Sequence, residues 1–418
     1  MLSRERGESV TTSHAVVTGI GVVAPTGVTT AEHWASVLAG KSGLGRITRF
    51  DAGDYPVRVA GQVPGFRATE QVPARLVPQT DRGTHFGLVA AADALIDARV
   101  DPQELPEYEM AVVTAASSGG TEFGQHEMER LYTKGPDWVG AYQSIAWFYA
   151  ATTGQVSIRH GMRGPCGVIC TEQAGGLDVL GQSRRLLGSG SRLVLGGGSD
   201  ASLCPYGLVA QLSNGGLSAD PDPARAYLPF DADAAGYVPG EGAAMLVVED
   251  EAAAATRGAP VYGRITGYAA GFDPPPGSPR PPVLARTIRA ALAEARLDPG
   301  DVDMVFADAA GQPDADRREA EALAEIFTPG GVPVTAPKTL TGRMYAAGAA
   351  LDVATALLAL RAGVIPPTAP VARPASGPAL DLVSETRSSD PRTALVLARG
   401  HGGFTAALVV TAPRKDTA

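Results

Sequence analysis

At 418 residues the chain is long enough for two or three ordinary domains or one large α/β assembly, and 44% hydrophobic with 19% charged residues excludes a mostly disordered chain or a coiled coil. A formal net charge of −9 gives no basic footprint for nucleic acid or an anionic membrane and leaves small molecules or acidic carriers as partners. Three cysteines (Cys166, Cys170, Cys204), a polar stretch over residues 1–13 and no apolar run near the ~20 residues that span a bilayer predict a soluble cytoplasmic protein without a disulfide framework.

In chain order, a β-branched, glycine-bearing run over 15–23 reads as a buried strand, followed by a turn at Pro25 and a helix over 30–39. A second helix is expected over 83–98, a strand over 111–115, a Ser-Ser-Gly-Gly turn at 117–120, and a helical stretch carrying Glu127, Met128 and Leu131. A short apolar strand over 167–170 turns at Thr171-Glu172-Gln173 into a small-residue helix over 174–187. A strand over 193–195 enters Gly196-Gly197-Gly198, residues 213–240 read as a long loop, and 243–248 form another buried strand. The pattern then recurs: a strand near Val261, a proline-rich loop over 273–282, a helix over 283–295, strands over 304–307 and 334–336, and a turn from Lys338 to Gly342 into a second small-residue helix. Closing strands over 393–397 and 406–410 flank a glycine turn at 400–403. Two like β-turn-α units suggest an internal duplication, and alternating strands and helices predict an α/β sheet covered on both faces.

Gly19-Ile-Gly21-Val-Val-Ala24 has the G-x-G-x-x-A form of a dinucleotide loop, the one feature that would support a nucleotide-binding oxidoreductase. Pro25 falls where the phosphate-binding helix should already run, so a structural turn is the better reading. Cys166 and Cys170 read as buried thiols of a core strand, and the six histidines form no ligand pair, so neither metal nor cofactor is expected. The acids Asp314, Asp316, Glu319 and Glu321 read as the first turns of a helix, favoured by its dipole and facing solvent. The turn at 171–173 is more informative, because strand-turn-helix geometry presents nucleophiles at helix N-termini. Its tip carries Gln173, which forms no stable acyl-enzyme; it either donates a hydrogen bond or caps the helix or fills a contact. Lys338, one of four lysines against 31 arginines, sits in apolar sequence.

Beyond these elements stand Val17-Thr-Gly-Ile-Gly-Val-Val-Ala-Pro25, Tyr227-Leu-Pro-Phe-Asp231, Gly236-Tyr-Val-Pro-Gly-Glu-Gly242, Pro337-Lys338-Thr-Leu-Thr-Gly342, Gly400-His-Gly-Gly-Phe404 and Thr171-Glu-Gln-Ala-Gly-Gly176. Together, from residue 16 to about 410, they resemble the β-ketoacyl synthases of the thiolase fold. Within that family they resemble the chain length factors, or ketosynthase β subunits, of bacterial type II aromatic polyketide synthases. The resemblance implies two duplicated βαβαβαββ halves, over 14–258 and 259–412, forming a layered α-β-α-β-α sandwich, with a flexible N-terminus over 1–13 and a tail over 413–418.

Active members carry a cysteine nucleophile and two histidines that promote malonyl decarboxylation and stabilise the enolate and oxyanion. By resemblance these positions fall on Gln173, Asp308 and Arg343, whereas Lys338 matches the family's lysine. The resemblance thus implies a subunit of an acyltransferase complex that is inactive alone. It would pair with a catalytic ketosynthase α chain, meet an acyl carrier protein bearing malonyl and polyketide chains, and shape the tunnel for the growing poly-β-ketone. Tunnel residues correspond to Thr121, Gly124, Met128 and Ile145, of which the first three, at i, i+3 and i+7, share a helix face in any case. These are small or flexible residues, which predicts a long tunnel of decaketide rather than octaketide class. The alternative is a priming role, with Gln173 assisting malonyl decarboxylation.

Overall fold

Nine consecutive small or β-branched residues form β1 (Ala15–Val23), buried throughout. Its glycines serve packing, because the backbone of helix α2 (Arg82–Asp97), which follows α1 (Thr30–Leu38), lies directly on the strand. A Cβ on Gly19 would come within 2.1 Å of the Ala94 carbonyl oxygen, and one on Gly21 within 1.9 Å of that of Ala90. The segment expected to be a turn is therefore strand interior, and it presents no phosphate-binding loop. The computed structural model describes residues 14–275, 277–328, 331–368 and 371–413; the expected flexible N-terminus over 1–13 and residues 414–418 of the expected tail lie outside them.

The main sheet continues with β2 (Met110–Ala115), β3 (Cys166–Ile169), β4 (Leu193–Asp200), β5 (Gly242–Asp250), β6 (Gly263–Phe272), β7 (Met304–Phe306), β8 (Pro333–Thr335), β9 (Asp381–Leu382), β10 (Thr393–Arg399) and β11 (Phe404–Thr411). Its spatial order is β9-β8-β7-β10-β11-β6-β1-β5-β4-β2-β3. The duplication is visible in that order. In the first half β1, β5 and β4 are antiparallel neighbours and β4, β2 and β3 are parallel ones; β6, β11, β10, β7 and β8 repeat the scheme. The halves join through a short antiparallel pairing of β1 with β6, from Ala15 opposite Ile265 to Val17 opposite Gly263.

Three apolar clusters separate five layers. The central one joins helices α5 (Gly175–Gly188) and α9 (Ala346–Ala362) to the inner faces of both halves. An outer cluster packs α2 on the first half, and another packs α7 (Leu284–Ala295) and α8 (Pro313–Ile326) on the second. Glycine governs the central contact, since a Cβ on Gly176 of α5 would stand 2.3 Å from the Ala350 backbone nitrogen of α9.

Two expectations need correction here. The glycine run at 196–198 belongs to the interior of β4, because Ala244 and Ala346 approach it so closely that a Cβ on Gly197 or Gly198 would lie 2.0 or 2.2 Å from their carbonyl oxygens. Cys166 and Cys170 are exposed, not buried in a core strand: among the described residues β3 is the sheet's edge and is paired on one side only, with β2. The long irregular segment after helix α6 (Pro205–Leu212) ends at Glu241. There the fully buried carboxylate accepts two bonds from Arg82, at 2.8 and 2.9 Å, and the guanidinium lies over Phe66 and Phe86. A bidentate, stacked arginine of this kind fastens the loop to the start of α2.

Candidate functional site

The turn between β3 and α5 places Gln173 inside the protein with no exposure, at the N-terminal end of a long helix. The preceding Glu172 adopts a left-handed φ of 52°, unusual for a residue with a side chain, and its carboxylate accepts the His401 N–H at 2.9 Å, tying the glycine turn at 400–403 to this corner. The Gln173 carboxamide lies against the bare Cα of Gly348 in α9; a Cβ there would stand 2.6 Å from Nε2. Among the described residues neither Nε2 nor Oε1 has a hydrogen-bond partner. Buried amide groups are nearly always bonded, so this one carries a desolvation cost.

Asp308 and Arg343, 35 positions apart, meet in a buried bidentate ion pair. Arg343 Nη2 donates to Oδ1 at 3.0 Å and Nη1 to Oδ2 at 3.3 Å. The guanidinium also donates to the Asp308 and Arg399 carbonyls and lies 5.4 Å from the Tyr237 ring centroid. Lys338 Nζ donates to the Asp308 carbonyl at 3.1 Å and sits 2.8 Å from Asp352 Oδ2. Arg399 completes the cluster, with its backbone N–H 2.9 Å from Asp308 Oδ1 and Nη2 3.0 Å from Glu319. Three cations thus face Asp308, Glu319 and Asp352. Burial works against ionisation of Asp308, but Arg343, Arg399 and Lys338 outweigh it and hold the carboxyl at about 2. Burial dominates for Asp352, which is raised to about 6 despite Lys338. The cluster brings together Asp308, Arg343 and Lys338, whereas Gln173 faces Gly348 across α9.

Glu319 and Asp316 lie on α8 but do not face solvent as expected. Glu319 accepts the N–H groups of Asp308 and Ala309, and Asp316 those of Phe230 and Gly311, so both carboxylates turn inward to hold the irregular segments that build the site. Asp314 and Glu321, by contrast, pair with exposed Arg317. Sequence offered no signal for Glu319, Asp352 or Arg399 as members of the cluster, because their partners come from distant loops.

Thr121 and Gly124 are buried on helix α3 (Thr121–Lys134), which precedes α4 (Ala151–His160). Met128, 41% exposed, shares that helix, and Ile145, 42% exposed, lies on the short turn Gln143–Ala146 packed against it. The start of α3 is anchored by two buried aspartates. Asp200 accepts from the Ser117 N–H and from the Ala346 N–H at 2.9 Å, linking the turn before α3 to α9. Asp81 accepts from Gly83 at 3.1 Å and Phe123 at 3.0 Å, capping α2 and α3 at once. Burial raises the Asp81 carboxyl to about 7, although both N–H bonds oppose the shift. A carboxyl that ionises more readily in the unfolded chain loses its stabilising contribution as pH rises through the folded value. Asp81→Asn removes this loss, so its melting temperature relative to the parent is expected to rise between pH 5 and 8. A flat difference in thermal melts across that range would refute the assignment.

Comparison with known proteins identifies the family and the fold. Residues 13–254 match the β-ketoacyl synthase N-terminal domain and residues 262–372 the C-terminal domain. The tetracenomycin polyketide synthase ketoacyl synthase beta subunit of Streptomyces glaucescens is 60% identical, over 94% of this chain and 97% of that protein. The actinorhodin polyketide putative beta-ketoacyl synthase 2 of Streptomyces coelicolor is 54% identical, over 94% and 98%. The solved ishigamide ketosynthase/chain length factor superposes with a TM-score of 0.88 at 26% identity, covering 96% of this chain and all of that one (100%). The duplicated, layered architecture is thus the thiolase-like ketosynthase fold, and the chain belongs to the β-ketoacyl synthase family, among the ketosynthase β subunits of type II polyketide synthases.

Proposed function

We propose that this chain is a non-condensing subunit that sets chain length in a type II polyketide synthase. It works in the cytoplasm, paired with a catalytic ketosynthase α subunit and served by an acyl carrier protein. The observation that carries the reading is the closed Asp308–Arg343 pair, together with a glutamine at the strand-turn-helix tip where a nucleophile would stand. A carboxamide does not attack a thioester, a carboxylate held at about 2 stays ionised, and a guanidinium stays protonated, so none of the three exchanges a proton near neutral pH. The two ketosynthase-like halves, over 14–258 and 259–412, then serve as scaffold. Partner pairing is supported by the open edge of β3 and by the exposed Ile145, Phe148, Tyr149 and Ile158 in the segment that precedes it. A solved relative captures a type II polyketide synthase acyl-carrier protein with its ketosynthase bound to the hexaketide, in keeping with a carrier-delivered substrate. Thr121, Gly124, Met128 and Ile145 line the proposed tunnel, of decaketide class.

The unpartnered Gln173 amide favours a second role, hydrogen bonding to a malonyl group during priming decarboxylation. The chain co-produced with a ketosynthase α subunit and supplied with carrier protein and malonyl donor is expected to run as a one-to-one heterodimer and to yield polyketides only when both chains are present. Condensation by this chain alone would overturn the reading.

A further inference from the structure

The absence of a side chain at Gly124 does not leave a void. The six-membered edge of the Trp147 indole abuts the Gly124 Cα, so close that a Cβ at 124 would stand 2.0 Å from both Cε3 and Cζ3. The backbone beneath the indole is fitted in the same way. A Cβ on Gly119, whose φ is +62°, would come within 2.4 Å of the Trp147 carbonyl oxygen, and one on Gly120 within 1.9 Å of that of Ala146. Three glycines thus cradle residues 146–147 on the turn and first helical turns that open α3. On its other side the indole meets Tyr206 of α6, with centroids 5.9 Å apart and planes tilted by 43°. The tryptophan is only half-buried, so part of the ring stays accessible.

We infer that Trp147 is a specificity-determining residue for product length: the indole, and not the small size of residue 124, sets the wall of the tunnel on this side. This rests on the tunnel reading above and adds a coupling to it. Any side chain at 124 must expel the indole, because helix backbone and ring cannot both yield where contact is already complete. The volume open to a growing acyl chain therefore depends on where the ring lies, and residues 124 and 147 act as one unit.

The test uses the complex of this chain with a ketosynthase α subunit, carrier protein and malonyl donor, read by product mass. Trp147→Ala is expected to shift the product by one or more two-carbon units upward or to broaden its distribution, whereas Trp147→Phe retains the parent length. Gly124→Leu is expected to shorten the product, and the double variant Gly124→Leu/Trp147→Ala to return it toward the parent length. A parent complex that makes no polyketide would sink the tunnel reading itself and this inference with it. An active parent whose Trp147→Ala variant gives an unchanged product in an intact heterodimer overturns the inference alone. Should Trp147→Ala fail to pair, Gly124→Ala in the single chain decides: displacement of the indole must redshift tryptophan emission relative to the parent, and an unmoved spectrum overturns the coupling.

Discussion

Asp308→Ala is expected to lower the free energy of unfolding by about 3–5 kcal/mol, the usual cost of removing one partner of a buried ion pair. The melting temperature should fall by about 3–6 °C, given the unfolding entropy of a chain this long. The carboxylate accepts from Arg343 Nη2 at 3.0 Å and the Arg399 N–H at 2.9 Å, and Arg343 has only 5% of its side chain exposed. Truncation therefore strands a guanidinium where water cannot solvate it. Asp381→Ala supplies the contrast: its partner Arg387 is 40% exposed, and loss of a surface pair costs about 0–1 kcal/mol. Denaturant unfolding of both variants measures the difference, and equal losses would refute the distinction. The carboxyl of Asp308 is held at about 2, so its contribution is intact above the unfolded value near 4 and disappears as pH falls through 2.

Gly176→Val should be more damaging still. A Cβ at this position lies 2.3 Å from the Ala350 nitrogen and 3.1 Å from the Ala349 Cβ, so α5 and α9 must separate to admit any side chain. Both helices belong to the central layer, and parting them opens the cluster that joins the two halves. Overpacking of a tight core costs about 1–3 kcal/mol where neighbours can shift. Here the obstruction is backbone, and the expected result is insoluble protein or a loss above that range. Gly154→Ala is the matched control, because none of the described residues lies within 4 Å of its Cβ position in α4 and glycine costs a helix about 0.5–1 kcal/mol relative to alanine. Soluble yield and thermal melts check the pair; a well-folded Gly176→Val protein would show that the layers are looser than their contacts imply.

Much of the fold was legible because its local signals are strong. The apolar run of β1 matches its observed bounds, and the recurring β-turn-α pattern reported the duplication that strand order displays. Signals failed where a local cue had a distant cause. Helix α6 begins at Pro205 under a cap from the Cys204 sulfur, a weak acceptor that does not announce a helix as serine or aspartate would. The glycines of β1 and β4 imitate turns, yet they are present because another backbone passes within contact. Motif resemblance singled out Gln173, Asp308, Arg343 and Lys338 as candidates, but not that Asp308 and Arg343 hold each other, nor that Glu319 turns inward from a helix that reads as solvent-facing. Such facts belong to pairs of residues far apart in the chain, and no single-position pattern encodes them.

The pairing of Asp308 with Arg343 also constrains the routes by which this site can change. Histidine at 308 alone would leave Arg343 without its bidentate acceptor, and histidine at 343 alone would deprive Asp308 of its principal donor. Each single step descends by several kcal/mol in a protein whose whole margin is of order 5–15 kcal/mol. Replacement of one member at a time would pass through intermediates that scarcely fold, so the buried pair acts as a ratchet, locking this centre against piecemeal change while residues outside it are free to drift.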